Sequence, residues 1–413
     1  MKETRFKQTE IGLIPEDWSY GNFADFLKTF TTGATPLRSI KSYYEGNIKW
    51  VSSGELNYRT IYDTIEHITE SAARNTNLKT HEKGTFLMAI TGLEAEGTRG
   101  KCAILGTEAT TNQSCLAINS TSKMTVEYLY YYYRLNSDLL AFKYCQGSKQ
   151  QSYTVEIVKK LPLYCPKEIL EQKKIASALT STDNLLLSLE KLIEKKRLIK
   201  QGAMQDLLTG KKRLPGFTGE WVERQLGEIT EMNSGGTPSV NVKEYYGNEI
   251  PFLSISDMSW QGKYLKQTEK SITYLGLKNS SARIVPSGTI LYAMYASIGK
   301  CSIANIELAI SQAILGIKVN KEVLNNIYLY YYLSFIENKA KEIGQQGTQS
   351  NLSKQIVEKF KIQLPTIKEQ QTIATVLSSI DKEIESLEGK KAKYEQIKQG
   401  MMQQLLTGKI RLI

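Results

Sequence analysis

Two stretches of this 413-residue chain carry apolar residues at alternating spacings of four and three. In the first, Ile175, Leu179, Thr182, Leu186, Leu189 and Ile193 lie between Pro166 and Leu208, with no internal proline and only Gly202 near the end. In the second, Ile373, Leu377, Ile380, Ile384 and Leu387 repeat the rhythm. Such spacing returns the same helix face every two turns and predicts two long helices, each with a heptad seam. About 43 residues would reach roughly 65 Å, more than one small domain can cover. That length favours a coiled coil between the two helices over the docking of each on its own globule. Leu-Leu-Thr-Gly closes both, which places Gly210 and Gly408 as C-terminal stops.

The remaining pieces, roughly 15–165 and 218–364, mix both rhythms. Ile48-Lys-Trp-Val51 and Ile250-Pro-Phe-Leu253 read as buried strands entering polar loops. Tyrosine-rich runs follow Thr125 and Asn325-Asn326, plausible helix caps, and continue to Leu139 and Phe335. Consecutive helical residues point in different directions, so Tyr130 to Tyr133 cannot form one base-stacking platform. They are expected to pack in the core.

These patterns occur twice. Gly33-Ala-Thr-Pro36 returns as Gly235-Gly-Thr-Pro238, and Tyr43, Ile48, Trp50 and Glu55 return as Tyr245, Ile250, Phe252 and Asp257. Gly100-Lys-Cys102 returns as Gly299-Lys-Cys301, Gln113 as Gln312, and Tyr128-Leu-Tyr-Tyr-Tyr132 as Tyr328-Leu-Tyr-Tyr-Tyr332. The helical tails match most closely, Ile199-Lys-Gln-Gly202 with Ile397-Lys-Gln-Gly400 and Leu207-Leu-Thr-Gly-Lys211 with Leu405-Leu-Thr-Gly-Lys409. A period near 200 is too long for a solenoid and signals a duplicated domain-plus-helix unit. Two copies about a pseudo-twofold axis would pair their helices antiparallel.

Composition narrows the chemistry. Lys and Arg outnumber Asp and Glu by 53 to 42, giving a net charge of +11 and a pI near 9.1, which favours an anionic partner. The helical tails hold 7 of that excess and each globule only 2, too thin for indiscriminate phosphate binding but tolerable for a sequence reader. No signal peptide or membrane-spanning run is visible, so a soluble intracellular protein is expected. The five cysteines contain no Cys-x-x-Cys pair, and the two histidines, His67 and His81, match no helical metal motif. Gly-x-Gly, a Walker loop and the Asp/Asn-Pro-Pro-Tyr/Phe motif of amino-methyltransferases are all missing. A nuclease Pro-Asp signature is missing too. An enzyme is not expected, nor a cofactor or metal bound by this chain.

Polar loops that recur in both copies are the candidate DNA contacts. In the first copy they supply Thr35, Arg38, Lys41, Ser52, Glu55, Arg99, Lys101, Gln113, Ser148, Lys149, Gln150 and Gln151. In the second they supply Thr237, Lys243, Ser254, Asp257, Ser297, Lys300, Gln312, Gln346, Thr348 and Gln349. Hydroxyls and amides suit base edges, and a few cations suit phosphates. Each loop alone is an ordinary solvated turn; recurrence with different side chains suggests two different half-sites.

Taken together the residues resemble the specificity subunit of type I restriction-modification systems, along essentially the whole chain. The resemblance rests on Pro15-Glu-Asp-Trp18, the duplicated Gly-x-Thr-Pro and Ile-x-Trp/Phe blocks, the Asn112-Gln113 and Ser311-Gln312 pairs, and Gln-Gly-x-Met-Gln-x-Leu-Leu-Thr-Gly-Lys twice. Phe252 replaces Trp in the second block, and Trp221 follows Gly219-Glu220 rather than Pro-Glu-Asp. The resemblance implies an α+β fold: target recognition domains at 1–166 and 214–364, with conserved helices at 167–213 and 365–413 forming an antiparallel coiled coil. It further implies that each domain reads half of a split double-stranded DNA site while the helices set the spacer. Two methyltransferase subunits would dock and modify adenine N6, and two restriction subunits would join. S-adenosylmethionine, ATP and Mg would then belong to those partners, in a bacterial or archaeal cytoplasm. The competing expectation is a non-catalytic pseudo-twofold scaffold that binds RNA or protein.

Overall fold

The computed structural model describes residues 5–57, 60–93, 99–147, 151–345 and 351–413. It divides into two compact units, Met1–Leu189 with Lys390–Ile413, and Glu190–Gly389. The boundaries fall inside the two long helices, Ile169–Leu208 and Ile367–Leu405, so each unit owns part of both. No described helix is long and apolar enough to cross a membrane.

The first unit is built on a five-stranded sheet in the order Leu27–Thr32, Cys115–Ser120, Phe86–Ala89, Cys102–Leu105, Thr60–Ile61. Its first four strands are antiparallel neighbours and the last joins in parallel. Ile48–Val51 forms as expected, between Thr110–Thr111 and Glu66–Ile68 in a smaller sheet. The second unit repeats the larger sheet as Thr230–Ser234, Ile314–Val319, Ile290–Ala293, Cys301–Ala304, Tyr264–Leu265. Ile250 to Leu253 closes the strand Tyr246–Leu253, which continues into the helix Ile255–Gln261. Both units are thus mixed helix and strand.

The tyrosine helices start at the predicted caps. Thr125 accepts from the Tyr128 amide to open Val126–Tyr144, and Asn325 accepts from the Ile327 and Tyr328 amides to open Asn326–Phe335. Tyr128 and Tyr130 to Tyr133 are all buried against the sheet, with Tyr132 Oη donating to the Pro162 carbonyl at 2.7 Å. Core packing is therefore their role, and burial raises the pKa values of Tyr128, Tyr130, Tyr131 and Tyr132.

Both readings of the long helices hold, each over part of their length. Ile175 and Leu179 are fully buried in the first unit's core among the tyrosines, as Ile373 and Leu377 are in the second. Leu186, Leu189, Ile193 and Ile384 are also buried, whereas Ile380 and Leu387 are only half-buried. Within the first unit Lys398 pairs with Asp183 and Thr182 donates to the Met401 sulfur. Within the second, Lys196 pairs with Glu383 and Lys200 with Asp381. Rising numbers on one helix meet falling numbers on the other, so the pairing is antiparallel in each unit.

A buried glutamine locks each helix to its domain. Gln172 accepts from the Thr125 amide and donates to the carbonyls of Lys123 and Pro166. Gln370 does the same with Asn325, Val323 and Pro365. Both are fully buried, and three good bonds apiece offset the loss of hydration. At the far ends Gly210 and Gly408 take φ of 71° and 69°, the left-handed stop their position predicts. Arg213 then forks onto Glu369, and Arg411 onto Glu171 and Asp17, holding the Asp17 carboxyl below its usual range.

Candidate nucleic-acid interface

The Gly-x-Thr-Pro turns exist because backbone passes backbone there. A Cβ on Gly33 would lie 1.7 Å from the Thr111 carbonyl oxygen, and one on Gly235 would lie 1.7 Å from that of Ile310. Only glycine permits the approach. Tyr44 Oη donates to the Pro36 carbonyl at 2.6 Å and Tyr246 Oη to that of Pro238 at 2.7 Å, which ties each turn down. In the first unit Trp50 Nε1 also donates to the Ala34 carbonyl at 3.0 Å. Phe252 has no ring N–H to repeat that bond.

The turns present Thr35 and Thr237 to the exposed glutamines. Thr35 Oγ1 donates to Gln113 Oε1, and Thr237 Oγ1 to Gln312 Oε1 at 2.6 Å. The glutamine carbonyls are thereby engaged and the amide NH2 groups remain as the outward donors.

One strand end gathers three loops in each unit. The Ala89 amide donates to the Lys101 carbonyl at 2.9 Å, the Ile90 amide to that of Ser114 at 3.0 Å, and the Tyr153 amide to that of Ile90 at 2.8 Å. In the second unit the Ala293 amide meets the Lys300 carbonyl, the Met294 amide meets that of Ala313, and the Leu352 amide meets that of Met294. Lys101 or Lys300, the glutamine turn and the segment near 151 or 352 thus converge on the same end of the sheet. Lys101, Ser297 and Lys300 are half-buried there, with the Lys300 amide donating to the Ser297 carbonyl. Arg99 donates to the Leu93 carbonyl at 3.0 Å and to Gln151 Oε1 at 3.3 Å, joining the two loops.

Other candidates are bound into the scaffold. Arg38 forks onto Glu66 and lies over the rings of Tyr44, at 4.3 Å, and Trp50, at 5.2 Å, so its cation already has partners. Ser52 and Glu55 form a capping box; Glu55 accepts from the Ser52 amide and hydroxyl and from the Ile65 amide. Ser254 and Asp257 form another, and Asp257 also accepts from the Glu269 amide. Asp257 is 0% exposed, so its side chain is not a DNA contact, which corrects that assignment. These recurring acids build the loops rather than present them. Lys41 and Lys243 are exposed near the tied turns. Ser148, Lys149, Gln150, Gln346, Thr348 and Gln349 lie outside the described residues.

The loops offer hydrogen-bond donors and cations. Among the described residues no group of three or more His, Cys, Asp or Glu could hold a metal ion. His81 is a core residue whose burial lowers its pKa, and His67 pairs with Asp63 at 2.9 Å.

The type I restriction modification DNA specificity domain matches twice, over residues 15–201 and 218–396. The chain belongs to that family. It is a specificity subunit with two DNA-recognition domains and is similar along its whole length to curated relatives. The putative type I restriction enzyme MjaX specificity subunit of Methanocaldococcus jannaschii is 29% identical over 100% of this chain and 98% of its own. The EcoR124I/EcoR124II specificity subunit of Escherichia coli is 27% identical over 63% of this chain and 64% of its own. Among solved structures, the type I system S subunit from M. genitalium superposes with a TM-score of 0.61 at 15% identity, covering 94% of this chain and 96% of that one. A chain from a structure of the assembly and conformational transition of a type I restriction-modification system gives 0.58 at 17% identity, covering 96% and 99%. These last two likenesses speak to the fold alone.

Two residue sets escaped the sequence reading. The capping boxes were visible as Ser52-Ser-Gly-Glu55 and Ser254-Ile-Ser-Asp257, the spacing at which an acid three residues after Ser caps a helix start. Asp183 and Asp381, and Lys200 and Lys398, repeat at the tails' own offset of 198, a signal masked by the many other tail charges.

Proposed function

We propose that each domain of this specificity subunit reads one half of a bipartite duplex site, with the helix pair setting the unread spacer. The observation that carries this reading is the shared loop scaffold with different side chains upon it. The Thr–Gln bond and the glycine crossing recur in both units. Of the residues that follow the turns Lys41 returns as Lys243, but Leu37, Arg38 and Ser39 are replaced by Ser239, Val240 and Asn241. A constant frame with variable donors is what independent reading of two half-sites requires. In this reading the polar loop residues meet base edges, and Lys101 and Lys300 hold phosphates. The long helices dock two methyltransferase subunits, to which two restriction subunits add. S-adenosylmethionine, ATP and Mg are the partners' cofactors, and the complex works on chromosomal DNA in a bacterial or archaeal cytoplasm.

The test is a domain exchange. Residues 15–165 are replaced by the equivalent domain of a relative, and the reconstituted methyltransferase complex is used to modify genomic DNA. Long-read detection of methyladenine is expected to show one half of the motif changed and the other half intact. Simultaneous change of both halves would overturn independent reading.

A further inference from the structure

One carboxylate in each unit joins three parts of the structure. In the first unit Asp183, on the first long helix, accepts from Tyr131 Oη at 2.8 Å; Tyr131 belongs to the recognition domain. Lys398, from the other long helix and itself buried, pairs with the same carboxylate. Arg134 of the domain stands 3.6 Å from it. In the second unit Asp381, now on the second long helix, accepts from Tyr331 Oη at 2.5 Å. Lys200 of the first long helix pairs with it at 2.6 Å, and Lys263 of the domain stands at 3.9 Å. Even the supporting hydroxyl recurs: Thr180 lies 3.1 Å from Tyr131 Oη and Ser378 lies 3.2 Å from Tyr331 Oη.

The domain's cation reaches the two nodes from different places. Arg134 lies on the tyrosine helix, whereas the matching position in the second copy, Ser334, donates instead to the Tyr330 carbonyl. Lys263 fills the role there from beside the strand Tyr264–Leu265, donating to Tyr331 Oη at 2.8 Å and Ser378 Oγ at 3.0 Å. A node rebuilt with a cation from another element indicates that the node itself is what both units need. Its members come from the domain, the helix that follows it and the helix that returns past it. Turning the domain on the helices would break a charge-assisted hydrogen bond and an ion pair together, which makes the angle stiff.

We infer that Asp183 with Tyr131 and Lys398, and Asp381 with Tyr331 and Lys200, are positioning residues that fix the angle of each recognition domain on the helices and so sharpen spacer discrimination. The inference rests on the bipartite reading proposed above. None of these side chains lies among the candidate DNA contacts, so the sequence of each half-site should be indifferent to them.

The test uses the full chain in the reconstituted methyltransferase complex, with duplexes carrying both half-sites at the preferred spacer and at one or two base pairs more or fewer. Tyr131→Phe and Tyr331→Phe each remove one oxygen and keep the packed ring; Asp183→Asn and Asp381→Asn keep the shape and remove the charge. The expected result is a fall in spacer discrimination on the order of tenfold, as one lost hydrogen bond to a charged group would allow, with the half-site bases unchanged. A lower melting temperature with an unaltered spacer profile would make the node merely structural and overturn the inference. Should the Asn variants fail to fold, the Phe variants decide between the same two outcomes. Failure of the underlying reading looks different: the unsubstituted complex would then show no two-part motif at all.

Discussion

Lys263 holds its charge in a place that favours losing it, and Lys263→Met turns that into a measurable pH dependence. The ammonium lies 4.4 Å from the centre of the Tyr331 ring and is bonded to Tyr331 Oη and Ser378 Oγ. Burial lowers its pKa from 10.5 to about 8; Asp381 and Glu385 oppose the fall, while Lys200 and Lys382 add to it. The unfolded chain keeps the proton to about 10.5, so between about pH 8 and 10.5 the unfolded state binds more protons than the folded one. Stability must then rise with pH across that window. At roughly 1.4 kcal/mol per pH unit the whole effect is about 3 kcal/mol, of which about 2 kcal/mol falls between pH 7 and 9.5. Methionine keeps an unbranched stem and has no proton to release. Paired urea melts of the two proteins at matched ionic strength should show the unsubstituted chain gaining about 2 kcal/mol on the variant over that range. At pH 7 the variant should be no less stable, because burial costs the ammonium more than its partners return. A flat difference would mean that water reaches the ammonium. A falling one would mean that Asp381 outweighs burial, and either result refutes the reasoning.

Leu179→Ala should destabilise the first unit by about 2 to 5 kcal/mol, since the side chain is fully buried among the tyrosines and the site cannot fully collapse. Thermal melts read this directly, and a loss under about 1 kcal/mol would place the helix off its domain. Lys101→Ala or Lys300→Ala should weaken binding to every sequence alike and flatten the salt dependence of the affinity by roughly one in log–log slope. Titrations at several salt concentrations check it; an unchanged slope would return these lysines to ordinary turn residues.

Much of the local structure was legible because its causes are local. Thr125 and Asn325 cap helices, Gly210 and Gly408 end them, and Ile48 to Val51 forms a strand, each for reasons contained in a few neighbouring residues. The order of strands in the sheets was not legible, since register between segments as distant in sequence as Thr31 and Ala117 depends on packing that no short window contains. The candidate site divides along the same line. Recurrence picked out Gln113 and Gln312 together with Glu55 and Asp257, and from sequence the four look equally functional. The fold separates them by what is left to offer: the glutamines stay exposed with their NH2 groups to give, while the acids, which only accept, spend their oxygens on nearby amides.

The heptad seam makes the same distinction sharper. Apolar spacing states which face of a helix is covered and is silent about what covers it. Ile175 and Ile193 occupy one seam, yet Ile175 belongs to the core of a recognition domain and Ile193 lies beyond it, where only helix pairing is expected. The polar residues decide the matter where the apolar ones cannot. Gln172, buried with all three of its bonds made to the domain, can only be a docking residue. Asp183, bonded to the domain through Tyr131 and to the second helix through Lys398, marks the place where docking gives way to coiling. In the reading proposed above the helix serves first as part of a reader and then as part of a spacer, and such a residue stands at the change of role; its counterpart Asp381 stands 198 residues on, at the same point of the second copy.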